Sequence, residues 1–341
     1  MKIKVPILLL LILVTQVKLK AQDFHFSQFI NAPLLTNPAN TGFIPAADFR
    51  LGANFRNQWA SIPVPYKTYS VFGDAQVFRN KLESGWMGLG GVLLRDIAGS
   101  GNLTSTKAYA SVAYHQMLGL SSLLSAGFNI GFANKRVDPN SLHLGDQYVW
   151  NGKFFEASLP TADNFNSATA TYLDLQAGIN YAYFPSENAY FNAGFSILHV
   201  NTPKETFFAD GSNVIPRRYT AFVNGSFKLN ESVIINPNAY ASFQAKTREI
   251  VAGGNVHYNL SGDGDKQLIG GIYYRVGDAA IGMAGFQLKT MTFNFTYDAT
   301  VSSLRQYNGS KGAVEFSVIK EGFYNEYFGN KRQSLCPSFK Y

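Results

Sequence analysis

Cysteine, charge and long apolar runs are all scarce in this sequence. Cys336 is the single cysteine among 341 residues, so no internal disulfide can form. Charged residues make up 15% of the chain against 46% apolar residues, a composition that excludes a disordered polypeptide. The one long apolar run, at 5–14, is too short to cross a bilayer as a helix. The chain must therefore fold, and its stability must come from something other than disulfides.

Aromatic residues and glycine are plentiful by contrast. The chain has 28 Phe, 19 Tyr and 31 Gly, which is typical of aromatic-rich strands joined by tight turns and disfavours a helical bundle. The formal charge of +7 includes four lysines among residues 1–21, a stretch without acidic residues, so the remainder carries 7 − 4 = +3. Such a small excess gives no reason to expect a nucleic-acid partner.

Residues 1–21 have the pattern of a secretory signal peptide. Lys2 and Lys4 precede the apolar run, and Ala21 offers a small residue before a cut at Gln22. A membrane anchor is the alternative, although further lysines follow the run directly. Because no cysteine follows the cut, a lipid-anchored amino terminus is disfavoured. We predict an exported protein.

Residues 48–320 alternate between apolar and polar positions with a period of two. Near the end of this range, Phe295 and Tyr297 share one face of a predicted strand while Asn294 and Thr296 share the other. About 14 such segments follow one another, separated by turn residues. A soluble sandwich would also alternate, but the even count, the segment lengths and the polar second faces favour a membrane barrel. The sequence predicts an all-β, transmembrane, antiparallel β-barrel with long extracellular loops.

The links between predicted strands differ in length in a regular way. Links after the second, fourth, sixth and eighth strands are short, whereas those after the fifth and seventh, 137–171 and 199–216, are long. Bacterial barrels have short periplasmic turns and long outer loops. This parity places both long links outside an outer membrane and both termini in the periplasm.

The two flanks of the predicted barrel are rich in aromatic residues. Residues 22–47 also carry Asn and Pro without strand alternation, which indicates a segment packed in the periplasmic mouth or the lumen. Residues 321–341 form an aromatic periplasmic tail that either covers strand ends or docks periplasmic machinery.

Motifs for catalysis or metal binding are missing from the sequence. The glycines of 88–91 lack the spacing of a dinucleotide-binding loop, and 261–265 lacks the full calcium-loop pattern and fits a tight turn better. The five histidines are dispersed, without a pair at metal-ligand spacing. We expect no enzyme activity, no cofactor and no metal, with a lipase assembled from neighbouring strands as the alternative.

Several charged residues fall on the predicted inner face of the barrel. Both signs occur, so they form either a network of paired charges that stiffens the barrel or the lining of a selective pore. These residues are Arg50, Arg56, Asp74, Asp174, Lys228, Asp298 and Glu315.

The long links carry aromatic residues that are candidate anchors for a protein partner. The alternative is that the links fold over the barrel mouth and bury their own aromatics. The candidates are Tyr148, Trp150, Phe154 and Phe155 in the first link and Phe207 and Phe208 in the second.

Several strings, taken in order, resemble the PorP/SprF family of outer-membrane proteins from the type IX secretion and gliding systems of Bacteroidetes. The mature start at 22–29, the stretch 37–42 and the Arg-Asn-Gln-Trp string at 56–59 resemble its amino-terminal signature. Further matches occur at 215–219, at 302–305 and near the end of the chain. The motif residues are Asn37, Pro38, Gly42, Arg56, Trp59, Pro216, Arg217, Arg218, Tyr219, Arg305, Cys336 and Pro337.

The resemblance implies a barrel of 14 strands without enzymatic activity. It further implies a role in export or surface anchoring of a protein, such as an adhesin, that bears a C-terminal sorting domain. Some members instead look tied to the periplasmic ring of the secretion machinery, which is the first alternative. A passive porin, with outer-membrane lipid as its main partner, is the second.

Overall fold

The computed structural model describes residues 24–61, 65–79, 82, 84–99, 101–138, 141–142, 144–156, 158–161, 168–207 and 211–324. Within these residues, no helix is long and apolar enough to cross a membrane. Fourteen strands close into one barrel, and two short strands, β6 (Tyr148–Val149) and β7 (Phe154–Phe155), pair in a separate hairpin. The barrel strands are β1 (Phe49–Gln58), β2 (Tyr66–Val77), β3 (Gly85–Ala98), β4 (Leu103–Met117), β5 (Ser122–Arg136), β8 (Thr169–Ser186), β9 (Ala189–Leu198), β10 (Arg218–Asn230), β11 (Val233–Gln244), β12 (Thr247–Asn259), β13 (Lys266–Arg275), β14 (Ala279–Leu288), β15 (Met291–Thr300) and β16 (Lys311–Gly322).

Each barrel strand pairs antiparallel with its neighbour in the chain. The first and last strands close the ring, with Phe49 opposite Gly322 and Gln58 opposite Ala313. Closure leaves no unpaired edge among the described barrel strands, which is the condition for a sheet to stand in lipid. The predicted 14-strand antiparallel barrel is confirmed.

The two faces of the strands differ in polarity. In β15, Asn294, Thr296 and Asp298 are buried inside the barrel, whereas Phe295 and Tyr297 are exposed on its outer surface. This is the reverse of a soluble sandwich, whose apolar face is buried, and it is the distribution that a lipid-facing barrel requires.

All the long links leave the same end of the barrel. Residues 137–168, between β5 and β8, and residues 199–217, between β9 and β10, lie at this end, which we call the long-loop end. The first residue of β1 and the last residue of β16 lie at the opposite end, which we call the terminal end. The prediction that both long links lie at one end of the barrel is confirmed.

Residues 24–47 run along the inside of the barrel, and we call them the lumen segment. Short helical turns shape them, at Phe29–Asn31, Pro33–Thr36 and Pro38–Asn40. Among the described residues, each of the four buried hydrophobic clusters contains a side chain of this segment. The hydrophobic core of the molecule therefore sits in the lumen, between this segment and the wall.

Candidate functional site

The lumen segment begins at the long-loop end. The carbonyl of Phe24 accepts a hydrogen bond of 2.9 Å from the guanidinium of Arg218, the first residue of β10. The Phe24 ring also lies under the ammonium of Lys107, 4.8 Å from the ring centroid. Phe24 and His25 are partly buried, whereas residues 26–29 are buried.

A cluster of buried charges holds residues 27 and 28. The Glu315 carboxylate accepts hydrogen bonds from the backbone amides of Ser27 (2.6 Å) and Gln28 (2.9 Å), and it also pairs with Arg56. The Ser27 hydroxyl donates to Asp298 at 2.6 Å. The segment thus supplies donors to carboxylates that would otherwise face the lumen with fewer partners.

The charges within this cluster balance. Asp298 lies 3.2 Å from Arg56 and 3.0 Å from Arg275, and Glu249 lies 3.0 Å from Arg275 and 3.9 Å from Arg218. Three guanidinium groups thus meet three buried carboxylates, counting Glu315, and Arg275 also pairs with the more exposed Asp278 at 3.2 Å. Because an unpaired charge in such a site is strongly destabilising, each member depends on the others.

Asn37 locks the middle of the segment to the wall. Its side-chain amide donates to the backbone carbonyls of Ile179 (2.9 Å) and Phe195 (3.3 Å), and its oxygen caps the amide of Ala39. Gly178 of β8 makes this approach possible, because a Cβ there would lie 1.9 Å from the Asn37 oxygen. Gly194 of β9 has the same role, with 2.7 Å to the Asn37 nitrogen.

Glycines of other strands receive neighbouring residues of the segment. A Cβ on Gly127 of β5 would lie 2.4 Å from the backbone of Pro38, and one on Gly88 of β3 would lie 1.9 Å from the carbonyl of Thr41. Several strand glycines therefore form one contact surface, on which the backbone of 37–42 rests directly.

The segment reaches the terminal end at Gly42. Gly42 has a φ of +68°, and its amide donates to Asp74 at 2.8 Å, so a residue without a side chain is needed. The Trp86 indole donates to the carbonyl of the same glycine at 2.9 Å. Phe43 then packs with Trp86 and Phe184 in one buried cluster.

Tyr324, just beyond the last strand, lies at the same end. Its hydroxyl donates to the carbonyl of Gln76 at 2.9 Å, and its amide donates to Asp48 at 3.1 Å. Burial, together with the nearby carboxylate of Asp48, raises the pKa of the Tyr324 hydroxyl above its ordinary value. The Tyr324 hydroxyl therefore stays protonated to a higher pH than an ordinary tyrosine hydroxyl.

The predicted inward charges are paired, as the network hypothesis requires. Arg50 binds Asp74 at 2.8 Å, and Asp174 accepts from His199 at 2.8 Å and from Tyr109 at 2.6 Å. The other predicted inward charges also have partners, Lys228 with Glu231 at 3.1 Å and the rest in the cluster around Arg56.

The motif residues separate into three groups. Asn37, Pro38, Gly42, Arg56 and Arg218 form or contact the lumen segment, as described above. Trp59, Pro216, Arg217, Tyr219 and Arg305 lie in or beside links of the long-loop end, where Trp59 packs on Tyr66 and Arg217 donates to the carbonyl of Val200. Cys336 and Pro337 lie outside the described residues.

Four of the predicted partner-binding aromatics meet in the hairpin of β6 and β7. The Tyr148 ring packs edge-on against Trp150 at 5.1 Å and Phe155 at 4.9 Å between centroids. Trp150 is nevertheless 79% exposed, and Phe154, paired with Val149, is 50% exposed. The hairpin therefore buries part of its aromatic surface against itself and presents the remainder to solvent.

Backbone hydrogen bonds fix the shape of this hairpin. Glu156 donates to the carbonyl of Gln147 at 2.9 Å, and Lys153 donates to that of Val149 at 2.8 Å. The side-chain amide of Gln147 donates to the carbonyl of Leu159 at 2.9 Å. The aromatic face is thus carried by a hairpin with internal hydrogen bonds.

The second long link is tied down in a similar manner. Lys204 and Val214 form an isolated bridge, and Glu205 pairs with Lys135 of β5 at 2.6 Å. Phe207 on this link is half-buried, and Phe208 lies outside the described residues.

Two residues of the buried charge cluster are not among the inward charges predicted from the sequence. Glu249 and Arg275 lie near the long-loop ends of β12 and β13, on the inner face. Extending the period of two from Gln267 and Tyr273 to Arg275 would have found one of them.

Comparison with known proteins identifies the family. The family described as "Type IX secretion system membrane protein PorP/SprF" matches residues 18–319. The chain belongs to the PorP/SprF family. The family is that of a membrane component of the type IX secretion system, and the fold is a β-barrel of the outer-membrane type. No curated protein matches the sequence.

Solved structures with a similar fold include two toluene transporters. The toluene transporter TbuX of Ralstonia pickettii is 10% identical, with 86% of this chain and 94% of that chain covered and a TM-score of 0.52. The toluene transporter TodX of Pseudomonas putida is 10% identical, with 87% and 93% covered and a TM-score of 0.50. At such identity the likeness concerns the fold alone.

Proposed function

We propose that this PorP/SprF barrel is a docking partner in type IX secretion, one that anchors a surface protein bearing a C-terminal sorting domain or assists its export. The long-loop end faces outside, and the terminal end at Gly322 faces the periplasm, because long loops of bacterial barrels lie outside the cell. Docking by side chains and loops, without chemistry, is the mechanism.

The exposed aromatic hairpin at the long-loop end is the observation that carries this proposal. Large, rigid aromatic side chains are the usual anchors of protein interfaces, and Trp is the most enriched of them. Trp150 stands on a hairpin whose backbone hydrogen bonds restrain it, which limits the conformational entropy lost when a partner binds.

The alternatives place the contacts elsewhere. A component of the periplasmic ring would use the terminal end, whose turns carry the exposed Leu120 between β4 and β5. A passive porin would need an open lumen, whereas the lumen segment contacts the wall from one end to the other. The docking hypothesis fits the position of the exposed aromatics better than either.

Affinity purification of tagged variants from native outer membranes tests the proposal. We compare wild type with Trp150→Ala and with Leu120→Ala, since both residues are highly exposed but lie at opposite ends. Loss of an interface anchor costs about 2 kcal/mol, or roughly a thirtyfold loss of affinity. We expect Trp150→Ala to lose the co-purifying secreted protein and Leu120→Ala to keep it.

The opposite pattern would contradict the docking hypothesis. If Leu120→Ala loses periplasmic components while Trp150→Ala changes nothing, the ring alternative is correct. If wild type arrives without any secretion-system protein, the anchor proposal is wrong. Mass spectrometry of the purified material distinguishes these results.

A further inference from the structure

The lumen segment crosses the barrel in one direction. Phe24 lies beside Arg218 at the start of β10, at the long-loop end. Ile44 lies at the other end, where its carbonyl accepts from Gln76 near the end of β2. The chain then enters β1 at the terminal end. The described chain therefore begins and ends at opposite mouths of the barrel.

The position of Phe24 restricts where a processed amino terminus can lie. A cut before Gln22 leaves two residues ahead of Phe24, and consecutive Cα atoms are about 3.8 Å apart, so these residues reach less than about 8 Å. The ten residues of β1 extend about 33 Å at about 3.3 Å per residue. Two residues cannot return the amino terminus to the terminal end.

We propose that cleavage before Gln22 leaves the mature amino terminus at the long-loop mouth, open to the outside of the cell. The half-buried state of Phe24 and His25, next to fully buried Phe26, fits a chain that emerges at that point. The proposal rests on the outward orientation of the long-loop end. The prediction of two periplasmic termini falls on residues 1–23 and 325–341, outside the described residues, and the proposal departs from it at the amino terminus alone.

The mature amino terminus would then be a further part of the outer surface. The amino-terminal end of the lumen segment lies at the same mouth as the aromatic hairpin, so an extracellular protein partner meets both. The chain would cross the membrane once more than its strand count suggests.

Single cysteines test the proposal in intact cells. In a Cys336→Ser background, we introduce Asp23→Cys, Asn151→Cys in the hairpin turn, and Asn188→Cys in the turn between β8 and β9. Asn151 and Asn188 are both exposed and lie at opposite ends of the barrel. A membrane-impermeant maleimide then labels cysteines that are accessible from outside.

We expect Asp23→Cys to be labelled as strongly as Asn151→Cys, and Asn188→Cys only after the outer membrane is permeabilised. Labelling of Asp23→Cys only after permeabilisation or denaturation would overturn the proposal. If Asn188→Cys labels in intact cells and Asn151→Cys does not, the outward orientation itself fails. The two control sites thus separate failure of this inference from failure of the proposed function.

A second measurement avoids the substitution at Cys336. An epitope inserted between Gln22 and Asp23 of the otherwise unchanged protein should bind antibody on intact cells. Mass spectrometry of the purified barrel should show a chain that begins at Gln22. An intact leader, or an epitope detected only after permeabilisation, would contradict the inference.

Discussion

At the scale of single residues, the fit between one asparagine and two glycines explains how the lumen segment is held. Asn37 is fully buried, and it satisfies its polar atoms with backbone groups of β8, β9 and its own turn. Such an arrangement needs the wall to lack side chains opposite it. Gly178 and Gly194 provide that space.

A methyl group at position 178 should therefore displace the segment. We expect Gly178→Ala to destabilise the barrel by about 1–3 kcal/mol, because the new Cβ would overlap the Asn37 side chain. Adding Asn37→Ala should recover part of this loss, since the overlapping atoms are gone. Denaturant unfolding followed by tryptophan fluorescence measures both changes.

Gly282→Ala is the matched control for this prediction. Gly282 lies in β14, and a Cβ there would have no heavy atom within 4 Å. The free energy of unfolding of Gly282→Ala should stay within about 0.5 kcal/mol of the wild-type value. Equal losses for Gly178→Ala and Gly282→Ala would show that the segment does not rest on the wall at Gly178.

At the scale of the strand, the two faces are adapted to different surroundings. The inner face holds amides, hydroxyls and paired charges, while the outer face holds large apolar side chains such as Leu93 and Phe132. Every second residue of a strand therefore belongs to the lipid-facing surface. A charge introduced there has no partner and no water.

Ile272 in β13 offers a direct test of the lipid-facing surface. Its side chain is 78% exposed in the middle of a strand, so Ile272→Lys should cost about 2–4 kcal/mol in a bilayer. Leu260→Lys is the control, because Leu260 is 51% exposed but lies in the link after β12. Urea unfolding of barrels in lipid vesicles measures the difference, and equal stability of the two variants would contradict a lipid-facing β13.

At the scale of the whole molecule, the lumen segment and the wall stabilise each other. The segment contributes a side chain to every buried hydrophobic cluster of the described chain, and it bonds to both mouths of the barrel. The wall supplies the charges that fix it. Such a lumen is filled by protein at positions where a porin holds water.

Removing the segment should convert the barrel into a pore. We expect deletion of 24–40 to raise conductance in planar bilayers severalfold above wild type, because the polar inner face would then be hydrated. Deletion of 148–155 should leave the conductance unchanged, since this hairpin lies in the link between the barrel strands β5 and β8. A shift in electrophoretic migration on heating shows that each variant is folded. If the folded variant without 24–40 conducts like wild type, this account is wrong.

The amino-acid sequence by itself was sufficient to predict the barrel. Alternation, strand count and link parity are local properties, because each depends on residues a few positions apart or on the distance between turns. Phe295 and Tyr297 therefore predicted their own outward face. The family motifs could also be recognised from the sequence, because they are short strings that occur in a fixed order.

Only the tertiary structure decided how the lumen is filled. The amide of Ser27 meets the carboxylate of Glu315 across 288 positions of sequence, and nothing local to either residue specifies that contact. Pairing of the charges and the direction of the lumen segment arise when the strands close around it. Long-range contacts of this kind depend on three-dimensional complementarity between two surfaces, which no periodicity along the chain encodes.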